Sequence, residues 1–309
     1  MVEVLPGTGG WSYFRVPGSD SLSAYSQAFN FAEVNASYYR LPSLNLLGRW
    51  RQRVSESFSF SLRCPRDLVD TYGLELKDKA RGLFLRIQQA CKILRAPVLT
   101  VLISDKSKIR EESLENWLEE FIKAFHAGGT RVAVEFRRRR PSNQVLEVMK
   151  EEGAVHTVDL SKEEPEFEAP LLYSRLFGKG EQNIYEFDDR ELEEIASRAK
   201  KAKIQKSILA FHGVRMYRDA ARIKTYLESG YFPRITNNVG VEAVKEVLRE
   251  DARFPTTKIE LLERQGWKLF NSNASETKRL RDVLTLIPER HYHDLGEVLK
   301  SLRKHAGLS

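Results

Sequence analysis

Eight short apolar segments recur along the first two thirds of the chain, each followed by a stretch with helical spacing, and this rhythm restricts the chain to the α/β folds. The strand candidates are Val2–Gly7, Phe31–Asn35, Phe58–Arg63, Pro97–Ile103, Arg131–Arg137, Ala154–Leu160, Leu171–Phe177 and Ser207–His212. Between them, Leu76, Ala80, Leu83, Phe84, Ile87, Cys91 and Leu94 share one helical face, and Leu114, Trp117, Leu118, Phe121, Ile122 and Phe125 share another. Ser43 is placed to cap a helix carrying Leu46, Leu47, Trp50 and Val54, and Asp188 with Glu191 has capping-box spacing. Gly230 is placed to stop the eighth helix. Eight β-then-α units before Pro233 predict a parallel (β/α)8, TIM-barrel-like domain. A doubly wound sheet would carry a glycine-rich phosphate turn leading into a helix. Gly7-Thr8-Gly9-Gly10 follows the first strand, but Trp11-Ser12-Tyr13 comes next, so the barrel is preferred.

After Pro233 the strand signals stop, and short helical patterns such as Val241, Val244, Val247 and Leu248 take over. Two domains are therefore expected, a barrel over 1–235 and a small all-helical unit over 236–309. The 309 residues, 41% hydrophobic, suffice for a sizeable core. The net charge of +7 is spread along the chain and suits anionic partners without demanding nucleic acid. No apolar run approaches membrane-spanning length, and the first twenty residues lack a secretory signal pattern. Cys64 and Cys91 are too few for a disulfide framework or a cysteine zinc site, so a reducing cytoplasm is the expected location.

The chemistry is concentrated where the strands end. In a barrel one alternating set of residues points inward, and active sites form at the carboxyl ends of the strands. Glu33 and Asn35 share a phase against Ala32 and Val34. Ser59, Ser61 and Arg63 oppose Phe58, Phe60 and Leu62, and Glu135 with Arg137 opposes Val132, Val134 and Phe136. Asp159 stands at the end of the sixth strand, Tyr173 and Arg175 at the end of the seventh, and His212 at the end of the eighth. Interior ion pairing could account for any one of these residues. Several together predict a functional pocket, because buried charges must be paired, solvated or ligand-bound. Glu33, Glu135 and Asp159 are the candidate acid and base groups. Arg40, Arg63, Arg66, Arg137 and Arg175 suit carboxylate or phosphate, and Trp11, Tyr38, Asn35 and His212 complete the expected binding set. Arg138–Arg140 reads as a solvated turn. No HExxH, P-loop or G-x-S-x-G pattern is present, and no metal-ligand motif joins the six histidines.

The same residues carry a resemblance. Gly7-Thr8-Gly9-Gly10-Trp11-Ser12-Tyr13, the run Phe29 to Pro42 (FNFAEVNASYYRLP), Phe58-Ser59-Phe60 with Pro65-Arg66, and Ala133-Val134-Glu135-Phe136-Arg137 resemble the motifs of the DUF72 (YecE-like) family. The resemblance implies a TIM-like barrel and no established reaction. Arg63 stands where that family usually has Lys, and Arg138 and Phe177 stand where it commonly has His, so two family histidines are lost, which lowers any metal or histidine-base reading for this chain. Residues from about Val241 to Lys304 resemble DUF2795, through Phe254-Pro255-Thr256-Thr257-Lys258 and later Leu286-Ile287-Pro288, Tyr292 and Val298. That likeness implies a helical module for docking or nucleic acid.

Three functions follow as expectations. The first is an acid–base enzyme on an anionic small molecule or nucleotide. The second is a nucleic-acid-binding or processing protein using the basic, aromatic rim and the C-terminal unit. The third is a metabolite-sensing scaffold with a partner on that unit.

Overall fold

The structure, a computed structural model, describes residues 2–107, 109, 111–201 and 204–308. The chain runs β1 (Glu3–Thr8), α1 (Ser21–Ala28), β2 (Phe31–Val34), α2 (Leu44–Gln52), β3 (Ser59–Arg63), α3 (Arg66–Asp70), α4 (Asp78–Leu94), β4 (Val98–Ser104) and α5 (Glu111–His126). It continues through β5 (Arg131–Arg137), α6 (Asn143–Glu151), β6 (Val155–Thr157), β7 (Leu171–Leu176), α7 (Asp189–Ala199), β8 (Lys206–Phe211) and α8 (Met216–Ser229). All eight strands pair in parallel in the order β6-β5-β4-β3-β2-β1-β8-β7, with β1 beside β8. A single bridge between Val158 and Ser174 joins the two ends, so the sheet is a nearly closed barrel.

Local signals set the elements as expected. Ser43 accepts the Leu46 N–H at the start of α2, Asp188 and Glu191 form a reciprocal capping box on α7, and Gly230 ends α8 at φ 80°. Period-2 alternation then separates two cores. Ala32, Val34, Phe60, Leu62, Val132 and Val134 face the helices, while Phe31, Val98, Ala133, Val155, Tyr173 and Ile208 fill the barrel.

One unit departs from the expected rhythm. Residues 158–170 connect β6 to β7 without a helix. Pro165 and Pro170 interrupt this segment, and its glutamates leave Phe167 without helical apolar partners, so no amphipathic face is available. The loop covers the weakly joined β6–β7 edge instead, over a cavity of about 300 Å³ lined in part by His156 and Phe167.

Beyond the barrel come α9 (Gly240–Arg249), β9 (Thr256–Thr257), α10 (Lys258–Gln265), β10 (Leu269–Asn271), β11 (Thr277–Arg279), α11 (Leu280–Leu284), β12 (His291–Tyr292) and α12 (Leu295–His305). This region is mostly helical, as expected, but it also holds two antiparallel strand pairs, β9 with β12 and β10 with β11. Strands of two or three residues are too short to show a period, which is why the sequence pattern does not reveal them. Val244, Val247, Phe270, Leu284, Tyr292 and Val298 belong to a hydrophobic core of its own. Among the described residues no helix is long and apolar enough to cross a membrane.

Candidate active site

The inward phase carries the expected charged residues to the carboxyl end of the barrel, where they meet. Glu33 on β2 and Arg175 on β7 are fully or almost fully buried. Arg175 Nε and Nη2 donate to Glu33 Oε2 and Oε1 at 3.1 and 3.2 Å, and Nη1 donates to Glu135 on β5. Tyr173 Oη donates to Glu33 Oε2 at 2.8 Å and exchanges a 2.7 Å hydrogen bond with Ser61. Arg137 Nε donates to Glu135 Oε1 at 3.2 Å. Arg63 lies 4.0 Å from Glu33, donates to Asn35 Oδ1 at 2.7 Å and stacks on the Tyr38 ring. One guanidinium thus bridges two carboxylates, and a second arginine attends each of them.

This pairing decides the protonation states. Burial by itself would raise the Glu33 carboxyl, but Arg175 above all, with His212 and Arg63, holds it well below the usual carboxylate range. Glu135 is likewise held down against its burial by Arg175 and Arg137. Arg175 stays firmly charged between its two carboxylates despite its burial. Burial, with Arg175 as a like-charged neighbour, brings Arg63 down to about 10. Both glutamates are therefore ionised anchors with little capacity to take up or give a proton at neutral pH.

His212, just past β8, sits differently. Its side chain is 6% exposed, and Nε2 lies 3.3 Å from Glu33 Oε1 without the alignment of a full hydrogen bond or any other partner. Burial first, then Arg175, pushes the imidazole below its ordinary range against the pull of Glu33, so the ring is neutral at pH 7. Phe177 stacks on it at 4.9 Å. Gly9 makes room for it: a Cβ there would stand 2.2 Å from Cε1 and Nδ1.

Glu33 and His212 lie at the base of a cleft of about 730 Å³ walled by Trp11, Tyr13, Asn35, Tyr39, Trp50 and Tyr217, with Gln182 and Asn183 from the β7–α7 loop. Trp11 is mostly core, packed edge-on against Trp50 and Phe60. The other expected residues divide. Asn35 lines the cleft; Tyr38 and Arg63, stacked on each other, and Arg137, its guanidinium 5.0 Å from the Phe177 ring, are not among its lining residues. Asp159 is occupied elsewhere: it accepts from the N–H groups of Phe177, Gly178 and Ser161 and from the Ser161 hydroxyl, pinning the loop after β7. Arg66 sits at the start of α3 near Asp67, and Arg40 is exposed; neither lines the cleft.

Gln182, Asn183, Tyr217 and Trp50, the last expected only on an apolar helix face, are among the cleft residues that sequence reasoning missed. The first two sit in a loop without periodicity, at φ 50° and 63°, and carry no signal that chain position reveals. The Phe177 stack and the opening beside Gly9 likewise exist only after folding. Among the described residues no three His, Cys, Asp or Glu side chains are grouped to hold a metal ion.

The model of DUF72, described as a protein of unknown function, matches residues 6–236. A solved DUF72 family protein from Enterococcus faecalis V583 is 14% identical, over 74% of this chain and 98% of that one, with a TM-score of 0.55. One from Thermotoga maritima MSB8 is 18% identical, over 74% and 100%, also with a TM-score of 0.55. The chain matches no curated protein.

Proposed function

The chain belongs to the DUF72 family, and from the barrel mouth we propose an acid–base enzyme acting on a small anionic substrate, with His212 as the base. The observation that carries this reading is a neutral, buried imidazole at the base of an open cleft beside a carboxylate that stays ionised. With Nε2–H turned to Glu33, the lone pair is on Nδ1, at the ring edge beside Gly9. Proton uptake there creates an imidazolium next to Glu33, which stabilises it, while Arg175 keeps Glu33 from taking the proton itself. The aromatic walls suit a ring or apolar portion of the substrate. Its anionic group would lie toward Arg137, 43% exposed and against the Phe177 ring that also stacks on His212. Residues 241–304 are proposed as the DUF2795-like module of their resemblance.

The test starts from a thermal-shift screen of sugar phosphates, nucleotides and small carboxylates on the whole chain. For any compound that stabilises the protein and is turned over, His212→Asn is expected to keep the stabilisation and lose about 100-fold or more in turnover. Unchanged turnover would remove His212 from the mechanism. The exposed faces of Tyr13 and Tyr39, 79% and 67% accessible at the same rim, favour a second reading as a single-strand nucleic-acid site. That reading expects oligonucleotide binding that weakens steeply between low and moderate salt, and no binding at low salt would end it.

A further inference from the structure

The β7–α7 loop forms one wall of the cleft, and the residues that hold it come from outside the family's matched region. Gln182 and Asn183 face the cleft in a left-handed conformation that side-chain-bearing residues adopt at a cost, so the loop needs external support. Its next residues are gripped by the C-terminal unit. Arg279 Nη1 donates to Glu186 O at 3.1 Å and to Trp267 O at 2.9 Å, its Nη2 donates to Tyr185 Oη at 3.2 Å, and its guanidinium lies over the Tyr185 ring. The Leu269 N–H donates to the buried Glu186 carboxylate at 2.9 Å. Tyr185 in turn packs so closely on Gly178 that a Cβ there would stand 2.2 Å from Tyr185 Cδ1.

The neighbouring wall segment is held from the same side. The Val214 N–H donates to Asn183 O at 3.0 Å, and Arg215, next in the chain, pairs with Glu250 and lies over Trp267. Arg218 pairs with Glu250 and with Glu186, at 3.1 and 3.2 Å. Glu186 on the barrel side and Lys268 on the other side are both fully buried. A loosely tethered module would leave such charges in water.

We infer that the C-terminal unit is a built-in brace of the cleft, and that Arg279 is a positioning residue that fixes the Gln182–Asn183 wall without touching the cleft itself. This inference rests on the cleft being the site. Tyr185 and Glu186 transmit the grip to the loop, and Asn183 O passes it to Val214, two residues from His212.

The test uses the full chain with Arg279→Ala, Arg279→Lys and, as a control on the same unit, Arg303→Ala, whose side chain meets Glu242 at the surface. In Arg279→Ala the amides of residues 178–184 are expected to exchange hydrogen about 10-fold faster or more, while the α9 and α12 amides keep their protection. The His212 ring, followed by NMR, is expected to titrate closer to an ordinary histidine as water enters. The charged groups facing it (Glu33, Arg175 and Arg63) are untouched by the substitution. Arg279→Lys should fall between, because a single ammonium nitrogen keeps the charge but cannot span the acceptors that Arg279 reaches from two separate nitrogens, and Arg303→Ala should match the parent. Unchanged loop exchange and an unchanged His212 titration in Arg279→Ala overturn the inference. Should Arg279→Ala unfold the C-terminal unit, Glu250→Gln carries the test through the Arg215 and Arg218 ties, read at Gly213 and Val214, and unchanged exchange there overturns it equally. Neither readout needs a substrate, so a failed brace and a failed assignment of His212 give different results.

Discussion

Replacing Arg175 with methionine is expected to cost the fold about 3–5 kcal/mol, the usual penalty for removing one partner of a buried ion pair. The side chain is 2% exposed and donates to Glu33 and Glu135, themselves 0% and 11% exposed as side chains. Methionine fills much of the volume but leaves two carboxylates facing each other in the barrel. Glu33 would retain Arg63 at 4.0 Å, His212 Nε2 at 3.3 Å and the Tyr173 and Thr100 hydroxyls, and Glu135 would retain Arg137. Urea unfolding checks this as a lower midpoint with an unchanged slope. Adding Glu33→Gln to Arg175→Met should recover part of the loss, since one of the stranded charges is gone. A midpoint that does not move in Arg175→Met would mean that the bridge contributes nothing to the fold.

Gly9→Ala is expected to damage the stability and the chemistry together. The new methyl would sit 2.2 Å from two atoms of the His212 ring, and Phe177 on a ring face and Glu33 at Nε2 limit the ring's retreat. Overpacking of this kind costs about 1–3 kcal/mol. The methyl also occupies the approach to Nδ1, so turnover should fall as far as in His212→Asn, about 100-fold or more. The decisive comparison is made in a His212→Ala background, where room is available and the stability cost of Gly9→Ala should disappear. A cost that persists there would place the clash elsewhere, in the β1 turn itself. Backbone freedom is not the issue at this position, since Gly9 has an ordinary φ and its neighbour Gly10, at φ 137°, is the residue that requires glycine.

Much of this architecture was legible before folding. The eight strands lie within a residue or two of where apolar runs place them, except β6, which is three residues long. Its partner β7 meets it through one bridge, and the helix expected between them is replaced by a loop containing Pro165 and Pro170. The inward phase of Glu33, Arg63, Glu135, Arg175 and His212 was also legible, because alternation is a local property of a strand. Asp159 shows the limit. Its strand-end position resembles that of Glu33, yet both its oxygens are spent on backbone N–H groups and a hydroxyl of nearby loops.

The sequence by itself determined that this chain makes a barrel and that acids, arginines and a histidine point into its mouth, since period and turn chemistry are read over a few neighbouring residues. Tertiary structure alone decided what those residues can do. Glu33, Glu135 and Arg175 are separated by 40 to 142 positions in the chain, and they meet only when β2, β5 and β7 close around one axis. Protonation depends on that meeting, because burial and charge act over a few ångströms of space and take no account of distance along the chain. The same closure ties down the expected carboxylates and leaves a histidine with a free edge.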